Sequence, residues 1–153
     1  MSERIKKIFE TKGKKLVTFT TGGDPDFNTS LEILKTIINN GIDIIEIGMP
    51  FSDPMADGPT IQESSVRSLA NGTKINDIFE IVTKVREFNN EIPIILMGYY
   101  NSIYNLGINN YLSFGFATTL ISFSIMPDIT EGLYWYTGAI TYTGDNGTYW
   151  CYF

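Results

Sequence analysis

Apolar positions along this chain change their spacing from segment to segment, and each change predicts a new element. Ile5, Ile8 and Phe9 share one face of a short N-terminal helix that Ser2 can cap and that ends near Gly13. Lys15 to Thr20 predicts a strand, closed by the turn residues Gly22-Gly23-Asp24-Pro25. A helix starting at Asn28 or Thr29 carries Leu31, Leu34, Ile37 and Ile38 at helical spacing and stops at Gly41. Ile42 to Ile47 is a second strand. It opens into a loop stiffened by Pro50, Pro54 and Pro59, and a helix then runs from about Thr60 to Asn71, ending at Gly72.

From Thr73 onward, Ile75, Ile78, Phe79, Val82, Val85 and Phe88 form one continuous helical stripe, which reads as core packing. Lys84 and Arg86 lie toward its C-terminal end, where the helix dipole favours cations. Ile92 to Met97 is a third buried strand, followed by Gly98-Tyr-Tyr-Asn101, and Asn109 to Leu112 starts a short helix. Strands alternating with helices over short loops predict βαβ units, a parallel sheet and right-handed crossovers. About three such units are legible, part of a larger βα architecture.

The character changes after residue 112. Residues 113–153 hold no Lys or Arg, carry only Asp128, Glu131 and Asp145 as charges, and are crowded with aromatic side chains. Phe116 to Phe123 predicts a fourth strand. Ala139 to Thr143 and Thr148 to Phe153 flank Gly144-Asp-Asn-Gly147, an Asn-Gly hairpin signal. The expected organisation is therefore residues 1–112 as the N-terminal part of a βα barrel, and residues 113–153 as a divergent aromatic tail holding a fourth strand and a hairpin.

Composition narrows the function classes. A chain of 153 residues with 43% hydrophobic and 18% charged residues suits one globular domain with a real core. A net charge of -6 argues against nucleic acid or an anionic membrane as the main partner, though backbone N–H groups can still bind a small anion. One cysteine, Cys151, allows no internal disulfide. The absence of histidine passes acid–base chemistry to Asp, Glu, Lys or Tyr. No apolar run reaches membrane-spanning length and no signal-peptide core is visible, so a cytoplasmic location is expected. Three Asn-x-Ser/Thr matches, at Asn28, Asn71 and Asn146, are read as chance in that setting.

The chemistry concentrates at the end of the second strand. Alternation puts Ile42, Ile44 and Glu46 on one face and Asp43, Ile45 and Ile47 on the other. In a barrel, the last inward residue of a strand reaches the catalytic mouth, and that position is Glu46. Among apolar neighbours its carboxyl pKa should rise toward neutrality, which suits proton exchange. The structural alternative pairs Glu46 with a backbone N–H or a lysine. Asp57, in the loop, is read either as a second acid of the site or as a solvated or helix-capping residue. Asp53, between Ser52 and Pro54, reads as structural. Met97 and Tyr99 close the third strand and line either a pocket or the core. Gly22-Gly23-Asp24-Pro25 lacks the residues of a P-loop and is a βα turn.

Phe51-Ser-Asp-Pro-Met-Ala-Asp57-Gly-Pro-Thr-Ile-Gln62, preceded by Glu46-Ile-Gly-Met-Pro50, closely resembles the signature of the tryptophan synthase alpha chain family. Phe19-Thr-Thr-Gly-Gly-Asp-Pro25 is similar to that family's first strand and turn. Pro93-Ile-Ile-Leu-Met-Gly-Tyr-Tyr-Asn101, with Gly107 beyond, is similar to its third strand and loop. The resemblance covers residues 1–112. It implies a (β/α)8 TIM barrel, here a partial one of three to four βα units. It also implies a lyase of tryptophan biosynthesis that cleaves indole-3-glycerol phosphate to indole and glyceraldehyde 3-phosphate without a cofactor.

By the same resemblance Glu46 is the general acid–base, and Asp57 holds the indole N–H and offsets the charge developing on the ring. Phe19, Met97 and Tyr99 line the indole pocket. Asp53 and Pro54 face the beta chain, a pyridoxal phosphate enzyme that joins indole to serine. A complete barrel takes about 250 residues, and the family's glycine-rich phosphate loops do not occur here. Little or no turnover by this chain is therefore expected. The competing expectation is a non-catalytic half-barrel that associates through its exposed sheet edges and apolar faces.

Overall fold

The computed structural model describes residues 3–107, 110–111, 122–125, 140–144 and 147–151. Its elements run in the order α1 (Glu3–Glu10), β1 (Val17–Thr21), α2 (Phe27–Asn39), β2 (Ile44–Gly48), α3 (Pro59–Ala70), α4 (Ile75–Phe88), β3 (Ile94–Tyr99), α5 (Tyr100–Leu106) and β4 (Ser122–Ile125). β5 (Ile140–Gly144) and β6 (Gly147–Cys151) follow. The first four strands form one parallel sheet in the order β1-β2-β3-β4, and β5 pairs with β6 as a separate antiparallel ladder. Asn146 of the Asn-Gly signal, the N-terminal part of the expected fourth strand and the Ser2 cap lie outside the described residues.

Period-two alternation sorts the sheet into two faces. Ile45 and Ile47 of β2 with Ile94 and Leu96 of β3 pack against Leu31, Leu34 and Ile38 of α2 and Ile78, Ile81, Val82 and Val85 of α4. These aliphatic side chains form the core, and burying each stabilises the fold by about 1.5–3 kcal/mol before ordering entropy is counted. On the opposite face the register sets Phe19, Glu46 and Ile95 level, with Thr21, Gly48 and Met97 one step closer to the C-terminal ends. The Glu46 face and the core face are thus cleanly divided along β2.

Several sequence expectations shift in detail. β1 starts at Val17 because residues 15 and 16 are committed to Asp43: Leu16 N–H donates to its carboxylate at 2.8 Å and Lys15 lies 3.9 Å from it. The cap of α2 is Asp26 rather than Asn28 or Thr29, since its carboxylate accepts from Thr29 N–H at 3.0 Å and Thr29 Oγ1 at 2.7 Å. In α4, Ile81 is fully buried while Phe88 is 44% exposed, so the buried stripe ends at Val85. Lys74 N–H donates to Asp77 at 2.7 Å and starts that helix. Glycines with positive φ stop α2 and α3 at Gly41 and Gly72, both at φ +83.

Candidate active site

Glu46 sits in the middle of β2, with β1 on one side and β3 on the other, and is 1% exposed. Its Oε1 has no hydrogen-bond partner among the described residues, so the expected alternative of a backbone N–H or lysine partner for that oxygen is not found. Burial with no compensating charge raises its carboxyl to a pKa of about 7. A carboxyl in that condition can give and take a proton near neutral pH.

The loop after β2 carries the second acid. Asp57 N–H donates to the Pro54 carbonyl at 3.0 Å, which tightens the turn, and Gln62 Nε2 donates to the Asp57 carbonyl at 2.8 Å. Tyr99, at the end of β3, fixes this loop from the far side. Its hydroxyl accepts from Ala56 N–H at 2.8 Å and lies 3.3 Å from Asp57 Oδ2, to which it donates. Phe51 stacks on the Tyr99 ring with centroids 4.8 Å apart. Burial raises the Asp57 carboxyl pKa and the Tyr99 hydrogen bond opposes it. Burial likewise raises the Tyr99 hydroxyl.

Phe19, Met97, Tyr99 and Asp57 line one cleft at the C-terminal ends of the strands. Glu46 lies on the same sheet face as Gly48, which also lines that cleft, and one alternation step deeper. Four of the five residues expected for catalysis and the indole pocket therefore converge, with Glu46 beneath them. Gly48 makes room for one of them: a Cβ there would come within 2.5 Å of the Phe19 ring. Asp53 is exposed and accepts from Ser52 Oγ at 2.6 Å, whereas Pro54 is buried and Met55 is 66% exposed. Around Pro54 the loop's outward surface is accordingly Ser52, Asp53 and Met55. Among the described residues no group of three or more His, Cys, Asp or Glu could hold a metal ion.

Sequence reasoning missed Thr21, Met49, Ile61 and Ser65 of the same cleft. Thr21 was within reach, because it follows Phe19 by one alternation step. Ser65 had no such signal. It is a buried polar residue on a helix face where periodicity looks for apolar ones.

Gly48, not Glu46, is the last residue of β2 on the cleft face of the sheet, so the acid stands one step inside the strand rather than at its end. Parallel βα units with a buried acid on a central strand, and a second acid in the loop that follows, define a βα-barrel protein that mounts its chemistry at the C-terminal face of the sheet. The family model of the tryptophan synthase alpha chain matches residues 5–131, and the chain belongs to that family. The match extends past residue 112, where the legible motifs stop. The chain is 44% identical over 126 residues to the tryptophan synthase alpha chain of Petrotoga mobilis, covering 82% of this chain and 48% of that one. It is 53% identical over 113 residues to the alpha chain of Thermoanaerobacter pseudethanolicus, covering 71% and 43% respectively.

Among solved structures, tryptophan synthase subunit alpha from Legionella pneumophila superposes with a TM-score of 0.74 at 31% identity. That match covers 85% of this chain and 51% of the other. A chain from Aquifex aeolicus superposes with a TM-score of 0.75 at 37% identity over 85% and 53% of the two chains. The fold is thus that of the TIM-barrel alpha chains, and the chain spans about half the length of the curated relatives it matches.

Proposed function

We propose that this site performs the alpha-chain reaction of tryptophan biosynthesis, the retro-aldol cleavage of indole-3-glycerol phosphate. Glu46 protonates the indole ring at C3 and removes the proton of the adjacent glycerol hydroxyl. The carbon–carbon bond between them breaks, the hydroxyl carbon becomes the aldehyde of glyceraldehyde 3-phosphate, and indole leaves. Asp57 accepts the ring N–H and offsets the positive charge that builds there during protonation. Phe19, Met97 and Tyr99 supply the apolar and aromatic walls that an indole ring requires.

The observation that carries this reading is the buried Glu46 carboxyl, with an unpartnered oxygen and a pKa of about 7, beneath an apolar cleft that Asp57 lines. Protonating carbon demands such an acid, and ring charge demands such a counter-charge. The chain is expected to bind indole and to release it slowly from indole-3-glycerol phosphate. Glu46→Gln should lower the release by roughly 10²–10⁴-fold while indole still binds. Turnover that survives Glu46→Gln, or indole that does not bind at all, overturns the reading.

The partner of the reading is the beta chain of tryptophan synthase, with both proteins in the cytoplasm. Asp53 and Met55, presented outward by the turn that buried Pro54 stiffens, supply the contact. A second reading, self-association, is favoured by one observation. Leu16 and Val17 are 62% and 36% exposed at the start of β1, an edge of the parallel sheet among the described residues.

A further inference from the structure

The helix that follows the acidic loop is held to the sheet in an unusual way. α2 and α4 bury leucine, isoleucine and valine, whereas the buried residues of α3 are Ser64, Ser65 and Ser68. Its hydrogen bonds to the end of β1 and the turn that follows come from successive positions along the helix. The Ser64 hydroxyl donates to the Ile61 carbonyl at 2.8 Å, so the buried 2.5 Å contact between the Ser64 and Thr21 hydroxyls is donated by Thr21. One turn later, Ser68 Oγ donates to the Gly22 carbonyl at 2.8 Å, also buried. Arg67 forks onto the Asp24 carboxylate with two bonds of 2.9 Å, and Asn71 Nδ2 donates to the Pro25 carbonyl.

Residues 21, 22, 24 and 25 are thereby stitched to residues 64, 68, 67 and 71. Gly22 N–H in turn donates to the Gly48 carbonyl at 2.8 Å, which ties the same segment to the end of β2. Hydrogen bonds are directional in a way that apolar packing is not, so this row fixes where α3 sits along β1 rather than merely holding it there. The Asp57 loop leads into α3 by way of Gly58 and Pro59, so the position of the helix sets the position of Asp57.

We propose that Thr21, Ser64 and Ser68 are positioning residues: their hydrogen bonds set the register of α3 on β1 and so hold the Asp57 loop over the Glu46 face of the sheet. The functional meaning rests on the reading of Asp57 as the ring anchor. The geometric claim is tested without substrate, so a failed lyase assay and a failed positioning claim give different results.

The test is amide hydrogen exchange by NMR on the whole chain, comparing Ala56 and Asp57 of the loop with Leu96 and Met97 of β3. Ala56 N–H is bonded to Tyr99 and Asp57 N–H to Pro54, so both report loop placement. Ser64→Ala and Thr21→Val should each speed exchange at Ala56 and Asp57 by about tenfold while β3 keeps its protection. Thr21→Ser, which retains the donor, should behave as the unsubstituted chain. Loop exchange that does not change, or that rises equally with β3, assigns these residues a purely structural role and overturns the proposal. So does a Thr21→Ser variant as fast as Thr21→Val. If Ser64→Ala does not fold, Thr21→Val breaks the same bond and leaves Ser64 its partner at Ile61, so it carries the test alone.

Discussion

Glu46 owes its raised pKa to burial, and burial acts against folding once the carboxyl ionises. Between the ordinary value of 4.5 and the folded value of about 7 the native chain holds a proton that the unfolded chain has released. Stability should therefore be greatest below about pH 4.5 as far as this group is concerned, and fall as pH rises through 7, by on the order of 3 kcal/mol. Glu46→Gln has nothing to ionise and should remove that slope. Urea denaturation at pH 5 and pH 8 checks it: the difference between the two pH values should shrink in the variant, and an unchanged difference would put the strain elsewhere.

Tyr99 is the other residue whose role can be isolated. Its hydroxyl favours the charged form of Asp57 against the pull of burial, so Tyr99→Phe should raise the Asp57 carboxyl midpoint further above its ordinary value. Carbon-detected NMR titration of Asp57 reads this directly. A midpoint that fell instead would mean the loop had swung out into water.

At the scale of elements, the close approach of β1 and β2 is the part most sensitive to one atom. Gly48→Ala places a methyl on the Phe19 ring, which can only turn into the cleft or push the strands apart. Indole binding should weaken at least about tenfold, with a stability loss of about 1–3 kcal/mol. Calorimetric titration with indole and urea denaturation separate the two effects. By contrast Val82→Ala, in the core under the sheet, should lose about 2–4 kcal/mol and leave the affinity of the folded fraction unchanged.

The elements also explain what was legible in the sequence. β2, α2 and α4 obey simple periods because each faces one apolar layer, so Glu46 stood out as the carboxylate on the inner face. The cap at Asp26 escaped because a side-chain bond to Thr29, not apolar spacing, decides where that helix starts. α3 was legible in its bounds, about Thr60 to Asn71 expected against Pro59–Ala70 found, but not in its buried face: that face is serine, which a hydrophobic period cannot mark, and its partners are the backbone and side chains of residues 21–25. Pro54, which the family resemblance sets facing a partner chain, is buried, while its neighbour Met55 takes the exposed position. Loop residues point where turn hydrogen bonds direct them, and those depend on atoms distant in sequence.

At the scale of the whole molecule, the open question of chemistry is which surface meets a second protein. The parallel sheet presents β1 as an edge among the described residues, and Leu16 leads into it with 62% of its surface exposed. The backbone of Leu16 is already engaged: its N–H donates to the Asp43 carboxylate, and its carbonyl accepts from Asp43 and Ile44 N–H at 3.1 and 3.2 Å. The side chain can therefore be changed while those bonds persist, which makes Leu16→Lys a clean probe of the edge. Copies carrying a charge of -6 repel one another at low salt, and that repulsion is screened within about 8 Å at physiological ionic strength. If the edge mediates self-association, sedimentation velocity should show a concentration-dependent dimer that strengthens with salt. Leu16→Lys should weaken it about tenfold or more, because a buried lysine head has no partner there. An unsubstituted chain that stays monomeric at every concentration and salt would remove self-association. The exposed Asp53–Met55 turn would then be the remaining candidate surface for a partner.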